Sequence, residues 1–136
     1  MLSDFFRNPN AKQPSFIEKV DEYSHLQIIR LKGRIDRSTL PEMEAMLKDA
    51  KKSGARLTKS ILLDLKNVSH LDTAGIAELI KVLSELRQTK RELGLVNVPE
   101  KFQSMLEILK VHDLFHVFIS EKEAFDKILS WSEEWE

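Results

Sequence analysis

The sequence predicts an α/β fold, a small mixed and mostly parallel β-sheet with about four helices mainly on one face. Short apolar segments rich in β-branched residues alternate along the chain with longer segments in which apolar residues recur at helical spacing. The predicted order is β, β, α, β, α, β, α, β, α, and strands that alternate with helices are typical of a parallel sheet. Each helical segment has a single apolar face, which favours helices that cover the sheet chiefly from one side.

The first fifteen residues differ from the rest of the chain. Residues 1–15 contain two prolines, three amide side chains and little periodicity, which predicts a flexible N-terminal leader. Phe5 and Phe6 are expected to dock this leader loosely on the domain surface. Residues 16–136 are predicted to form a single domain, because a chain of this length buries enough surface without a disulfide or a metal.

Two strands and one helix are predicted before Gly54. Apolar residues tend to alternate over Phe16–Val20 and again over His25–Ile35, which predicts two strands paired antiparallel. Pro41 then suits a first helical turn, and apolar residues recur at helical spacing until Gly54. We therefore expect an amphipathic helix between the second and third strands.

The next predicted strand is central. Ile61–Leu65 is apolar on both faces, as expected of a strand covered by other elements. A turn is expected at 67–70, and a second helix is expected to begin near Asp72 or Thr73. Glu78 and the other charged residues of this helix are expected mostly outside its buried stripe. The predicted stripe consists of Ile76, Leu79, Ile80, Leu83 and Leu86.

Two more strands and two more helices complete the prediction. Gly94–Val98 predicts a strand ended by Pro99, and Phe115–Ile119 predicts a last short strand. Ser120 and Glu123 form a capping box that predicts the start of a final helix. The apolar stripe of the third helix is Phe102, Met105, Leu106 and Leu109, and that of the last helix is Ala124, Phe125, Ile128 and Leu129.

Composition excludes several classes of function. The absence of Cys removes disulfide frameworks, Cys-ligated zinc sites and thiol nucleophiles. Lys plus Arg total 21 against 22 Asp plus Glu, and this near-neutral net charge argues against sequence-independent binding of nucleic acid. No apolar run approaches the roughly 18 residues of a membrane span, and no phosphate-loop motif is present. We therefore expect a cytoplasmic protein with no cofactor, no direct nucleic acid contact and no membrane insertion.

The segment 68–76 is the most informative part of the sequence, because it joins the doubly buried strand to the second helix through a polar turn. Thr73 lies at the predicted helix start, where amides and the positive end of the dipole would face a phosphate on its hydroxyl. Asp72 is expected either to cap the helix or to orient that hydroxyl. Gly75 is expected to leave the hydroxyl uncovered. The alternative is that Asp72 and Thr73 are only cap residues.

Other polar patterns in the sequence give weaker evidence for a functional site than the segment 68–76. His112 and His116 have the four-residue spacing of metal ligands on a helix, but the predicted helix ends between them, so we expect no metal site. His70 has no nucleophile motif beside it, so no catalytic triad is expected. Trp131 and Trp135 either cap the last helix or form a self-association contact. A basic cluster, either a solvated helix end or a surface that steers a partner, comprises Lys48, Lys51, Lys52, Arg56 and Lys59.

A family resemblance rests on these segments. Gly33-Arg34-Ile35-Asp36, a Pro-started helix, Ile61-Leu62-Leu63-Asp64-Leu65 and Leu71-Asp72-Thr73-Ala74-Gly75-Ile76 follow one another in the order and at the intervals of the STAS domain. The chain thus resembles the family of bacterial anti-sigma factor antagonists, which also supplies the cytoplasmic tails of sulfate transporters. The resemblance extends from about Phe16 to Leu129.

The resemblance implies a phosphorylation-regulated binding module without enzymatic activity. In that scheme the unphosphorylated protein binds an anti-sigma factor that is also a serine/threonine protein kinase. Phosphorylation releases the complex, and a metal-dependent serine phosphatase restores it. The family motif puts the phosphoacceptor at Thr73, and Asp36, Asp72, Thr73, Ala74 and Gly75 at the partner-binding positions.

Two departures from the family pattern concern this motif. Thr73 stands where Ser is commoner, and Ala74 stands where a second hydroxyl is frequent. The resemblance therefore leaves an alternative of another class, a non-switching scaffold subunit of a signalling assembly or an accessory STAS subunit of a lipid-transport complex. For the antagonist we expect a monomer or a weak dimer.

Overall fold

The computed structural model describes residues 14–24, 26–45, 60–88 and 90–134. The predictions for Phe5 and Phe6, for the second half of the first helix with its basic cluster, and for Trp135 lie outside these residues. The same holds for the side chains of Leu129 and Trp131. Pro14 is buried, and Ser15 donates hydrogen bonds from its amide and its hydroxyl to Glu42 at 3.0 and 2.9 Å. The predicted leader thus contacts the domain at its last two residues.

The described residues form one five-stranded sheet in the order β1-β2-β3-β4-β5. β1 pairs antiparallel with β2, and every later pair is parallel, as predicted. The central strands are apolar on both faces because helices cover both sides of the sheet. The strands are Ile17–Glu22 (β1), Leu26–Ile35 (β2), Ser60–Leu71 (β3), Leu93–Val96 (β4) and His116–Phe118 (β5).

Four helices follow the predicted order, with a short 3₁₀ helix at His112–Leu114 before β5. The first of the four (α1) is described over residues 40–45. The other three are Thr73–Gln88 (α2), Glu100–Ile108 (α3) and Glu121–Glu134 (α4). No helix in the described ranges is long and apolar enough to cross a membrane.

The two faces of the sheet carry unequal cores. The larger core contains Met43 of α1, Leu79 of α2 and Phe102 of α3, so these helices share one face. The smaller core contains Leu62, Phe118, Ala124 and Ile128, which places α4 on the opposite face. Alternate residues of β3 therefore point to different cores, as the period of a strand requires. The prediction that helices lie mainly on one face is confirmed, with α4 as the exception.

The turn predicted at 67–70 is wrong, because β3 continues through these residues to Leu71. β2 is ten residues long, and its second half pairs with this extension, from Lys32 opposite Asn67 to Ile35 opposite Leu71. Register shifts in this pairing break the apolar alternation that marks a strand in the sequence. The polar residues 67–70 therefore resemble a turn in the sequence, although their pairing with β2 holds them in a strand.

The last two strands are shorter than predicted, and one predicted stripe residue and one predicted strand residue lie at the surface. Leu109 is exposed just beyond the end of α3, and Ile119 is exposed just beyond the end of β5. The capping box of α4 is present in a shifted form. The Ser120 hydroxyl accepts a hydrogen bond from the Glu123 amide, while the Glu123 carboxylate accepts one from the amide of Ile119.

An arginine on the α4 face ties three elements together. Arg30 of β2 donates hydrogen bonds to Asp21 of β1 at 3.0 Å, to Asp64 of β3 at 2.7 Å and to Glu121 of α4 at 2.9 Å. Burial opposes ionisation of Asp64, but bonds from the Lys66 amide, from Asn97 and from Arg30 outweigh it and keep the pKa of Asp64 below its usual value. This cluster fixes the start of α4 against the sheet.

Candidate functional site

The carboxyl ends of the two longest strands meet at one edge of the sheet. Arg34 lies opposite His70 and Ile35 opposite Leu71, so β2 and β3 end side by side. Each strand then turns into a helix, β2 into α1 and β3 into α2. The segments that follow Ile35 and Leu71 therefore lie next to each other, and together they form the edge that carries Thr73.

Asp72 caps α2. Its Oδ1 atom accepts a hydrogen bond from the Gly75 amide at 2.8 Å, the geometry of an N-cap carboxylate on the third helical residue. Its Oδ2 atom accepts a hydrogen bond from the Arg37 amide at 3.3 Å, which links the α2 start to the turn after β2. Of the two functions expected for Asp72, the structure thus shows the cap.

Thr73 is the first residue of α2, as predicted, and its side chain is exposed. Within the part of the chain that the structure describes, its hydroxyl has no hydrogen-bond partner, and the neighbouring Asp72 carboxylate is engaged with backbone amides. The hydroxyl thus faces solvent at the end of the helix where the dipole is positive. Ala74 next to it is half-buried.

Gly75 lies on the inner side of α2 and is buried. A Cβ atom at this position would lie 2.8 Å from the carbonyl carbon of Ile35 and closer still to its oxygen. The explanation that Gly75 leaves the Thr73 hydroxyl uncovered is therefore wrong. Gly75 instead lets the first turn of α2 pack directly against the end of β2, and this contact sets the position of Thr73.

Asp36 organises the turn between β2 and α1. One carboxylate oxygen accepts a hydrogen bond from Arg34 at 2.7 Å, and the other accepts bonds from the amide and the hydroxyl of Ser38. The Ser38 hydroxyl is the main cause that lowers the pKa of Asp36, and it outweighs the opposing effect of burial. Because both oxygens have intramolecular partners, Asp36 supports the loop, and its contact with a partner stays a prediction.

Sequence reasoning missed two basic residues of this edge. Lys101, in the first turn of α3, donates a hydrogen bond from Nζ to the Ser69 carbonyl oxygen at 3.2 Å. Arg37 is exposed beside the Asp72 cap. β4 lies parallel to β3, so the helix after β4 begins at the same edge as α2. That rule of parallel sheets could have brought Lys101 into the predicted site.

The prediction that Glu78 lies outside the buried stripe of α2 is wrong. Its side chain is only 5% exposed, and one of its carboxylate oxygens has no hydrogen-bond partner among the described residues. Burial raises the pKa of Glu78, and the charges of Glu44 and Glu85 act in the same direction against the opposing effect of Lys81. The buried arc of α2 is thus wider than a single stripe, and Glu44 of α1 lies close enough for its charge to act on Glu78.

The histidines form no metal centre in the described part of the chain, where no cluster of three potential ligands occurs. The His112 ring contacts Asp113 at 3.4 Å, and the His116 ring contacts Glu92 at 3.3 Å. His70 accepts or donates a hydrogen bond with the Ser69 hydroxyl at 2.9 Å. That pair lies on the surface, and the Asp72 carboxylate is engaged with the α2 cap.

The family model described as the STAS domain matches residues 18–124. An anti-sigma-B factor antagonist of Staphylococcus aureus (strain NCTC 8325) is 32% identical over 89 residues, which cover 65% of this chain and 80% of that protein. The corresponding Staphylococcus epidermidis protein is 29% identical over the same shares of both chains.

Solved structures agree with this assignment at the level of the fold. The anti-sigma factor antagonist SpoIIAA in its unphosphorylated form has a TM-score of 0.58 and 20% sequence identity, covering 81% of this chain and 96% of that chain. The phosphorylated form of the Bacillus protein SpoIIAA gives a TM-score of 0.58 and 19% identity, with 81% and 97% coverage. Since the family model spans the sheet and the α2 edge, the chain belongs to the STAS domain family.

Proposed function

We propose that this protein is an anti-sigma factor antagonist whose binding surface is the edge around Thr73. Unphosphorylated, it binds an anti-sigma factor that is also a serine/threonine protein kinase, and phosphorylation of Thr73 releases that partner. The exposed hydroxyl of Thr73, free of intramolecular hydrogen bonds in the described residues, is the observation that carries the proposal. Relatives named as anti-sigma-B factor antagonists support the class of partner.

The proposed switch is electrostatic. Thr73 is uncharged and exposed, and a phosphate on it would add about −1.5 to −2 charge together with a strongly hydrated group. A partner surface packed on the α2 start would have to remove that hydration. Because Asp72 caps α2 independently of the Thr73 hydroxyl, phosphorylation is expected to change binding while leaving the fold intact. A structural neighbour that has been solved in both phosphorylation states is compatible with such a switch.

The remaining parts of the proposal concern the whole protein. Residues 16–136 form the functional domain. The contact surface is positioned or bordered by Asp36, Asp72, Ala74 and Gly75. A metal-dependent serine phosphatase removes the phosphate from Thr73. The protein acts in the cytoplasm as a binding protein and not as an enzyme. The alternative, a scaffold or transport subunit without a switch, predicts a large particle in light scattering or copurification with transporter subunits, whereas the antagonist runs as a monomer or weak dimer.

The test begins with the site of phosphorylation. The full-length chain is incubated with ATP and each anti-sigma kinase encoded in the same genome, and the phosphate is located by mass spectrometry. We expect phosphate on Thr73 and its loss in Thr73→Ala, while Thr73→Ser remains a substrate. Phosphate found only elsewhere, or none with any of the kinases, would contradict the proposal.

Binding measurements then separate a switch from a structural residue. Thr73→Ala should bind the kinase and resist release by ATP, whereas Thr73→Glu should bind more weakly. Circular dichroism should be the same for both variants, because the Asp72 cap does not use the Thr73 side chain. Equal loss of binding in Thr73→Ala and Thr73→Glu would mean that Thr73 has a structural function only.

A further inference from the structure

The exposed apolar residues of the structure concentrate near β5, the outermost strand on the side of the sheet away from β1. Six large hydrophobic residues of the described chain are exposed, and five of them lie within residues 108–119. They follow one another through the end of α3, the 3₁₀ helix and β5. Such a concentration of exposed apolar residues in one segment of the fold points to an interaction site. The five are Ile108, Leu109, Leu114, Val117 and Ile119.

A groove of about 400 Å³ lies beside these residues, between α3, the 3₁₀ helix and β5, and Val117 is the one of the five that lines it. We call it the α3–β5 groove. Leu106 and Phe115 are buried core residues that form its floor, and Val117 of β5 adds an apolar wall that is 38% exposed. This volume falls in the range of binding sites, and the walls suit one or two aliphatic or aromatic side chains.

The rim of the groove is acidic. Glu107 and Asp113 line it, and both side chains are exposed, Asp113 to 91%. The other polar groups of the lining are Gln103 and His112, and the His112 ring lies 3.4 Å from Asp113. The carboxyl end of α3 adds partial negative charge. An apolar floor with an acidic rim complements an apolar side chain flanked by cations.

We propose that the α3–β5 groove binds a segment of a partner protein in which an aliphatic or aromatic residue is flanked by Lys or Arg. The apolar residue occupies the floor over Leu106 and Phe115, and the flanking cations pair with Glu107 and Asp113. This surface is separate from the Thr73 edge. α3 begins at that edge, where Lys101 reaches Ser69, and Glu107 of the groove lies six residues further along the helix, about 9 Å away. One partner can thus contact the groove while the Thr73 edge is free.

The probe is a synthetic peptide whose central Leu-Phe-Leu is flanked on each side by two Arg. It is titrated into the ¹⁵N-labelled full-length chain and followed by NMR. We expect saturable shifts confined to residues 103–119, with the Thr73 amide unmoved. A matched peptide with Glu in place of Arg, and one with Ser-Gly-Ser as its centre, should each bind at least about tenfold more weakly.

Paired variants separate the two contributions. The double variant Glu107→Lys with Asp113→Lys should weaken the Arg peptide about tenfold, while Asp126→Lys on exposed α4 should leave it unchanged. Val117→Ser should weaken binding, whereas Ile119→Ser, which removes a more exposed apolar residue outside the groove, should not. These five positions are on the surface, so folding is checked by the unperturbed remainder of the spectrum.

Three outcomes would overturn the proposal. The first is the absence of saturable shifts up to about 1 mM peptide. The second is equal affinity for the Arg and Glu peptides, which would make the groove a nonspecific apolar surface. The third is concentration-dependent dimerisation of the chain that competes with the peptide and is abolished by Val117→Ser, which would assign the groove to a second copy. None of these results bears on phosphorylation of Thr73, which is tested separately.

Discussion

Replacement of Gly75 by Ala tests how α2 is placed against the sheet. Helix propensity alone favours Ala over Gly by about 1 kcal/mol in a helix interior. At position 75, however, the new Cβ atom would overlap the carbonyl group of Ile35, whose backbone is held in the β2–β3 pairing. The obstacle is backbone, so relief requires movement of the first turn of α2.

The expected result is a net loss of stability. Overpacking of this kind costs about 1–3 kcal/mol, which exceeds the propensity gain for most of that range. A net loss of up to about 2 kcal/mol lowers the urea midpoint by up to roughly 1 M at the slopes typical of small domains. The amides of Asp72 and Thr73 should also shift in NMR spectra, because the Gly75 amide is hydrogen-bonded to Asp72.

Equilibrium urea unfolding followed by circular dichroism measures this effect. The matched control is Ala77→Gly, an exposed position of the same helix where only propensity changes. Both variants should lower the midpoint, Gly75→Ala through the clash and Ala77→Gly through backbone entropy. An increase in midpoint for Gly75→Ala, with unmoved Asp72 and Thr73 amides, would refute the argument that close packing on Ile35 requires glycine.

Three further variants test other contacts. Asp72→Ala should cost about 0.5–2 kcal/mol in urea unfolding through loss of the α2 cap, and Asp72→Asn, which keeps an acceptor oxygen, should cost less. Glu78→Gln should raise the midpoint near pH 7 and leave it unchanged well below pH 4.5. The raised pKa of Glu78 means that the folded state holds the proton more tightly than the unfolded state does. The stability of the protein therefore falls as the pH rises from about 4.5 through the folded-state pKa. An equal effect of Glu78→Gln near pH 7 and well below pH 4.5 would contradict this explanation. Gly94→Ala should destabilise by about 1–3 kcal/mol, because its Cβ would lie 2.7 Å from the Phe118 ring, and combination with Phe118→Leu should recover part of the loss; strictly additive losses would exclude that contact as the cause.

The Thr73 edge was predictable from sequence because its parts are local. A doubly apolar strand, an acidic cap residue and an amphipathic stripe follow one another within residues 61–86, and each depends on neighbours a few positions away. The start of α2 at Thr73 and the cap at Asp72 therefore appear as expected. Thr73, the first residue of α2, is also exposed.

What the prediction missed depends on residues far apart in sequence. Glu78 is buried although it has the charge of a surface residue, and the charge of Glu44, more than thirty residues earlier, acts on it. Gly75 faces the backbone of Ile35, forty residues earlier, and so acts through packing. Residues 67–70 look like a turn but form a strand because the second half of β2 pairs with them. Lys101 joins the site only through the parallel order of β3 and β4.

The sequence by itself determined the order of strands and helices, the start of α2 and the identity of the residue placed there, since apolar periodicity and capping act over a few residues. Tertiary structure alone decided three features. It buried Glu78 with one carboxylate oxygen unpaired among the described residues, placed Gly75 against the backbone of Ile35, and left apolar side chains exposed within residues 108–119. The cap that Asp72 makes with Gly75 is local, whereas its second contact, with the Arg37 amide, depends on the pairing that brings the ends of β2 and β3 together. The α3–β5 groove likewise depends on how the end of α3, the 3₁₀ helix and β5 pack on one another, which the apolar periodicity of each segment does not specify.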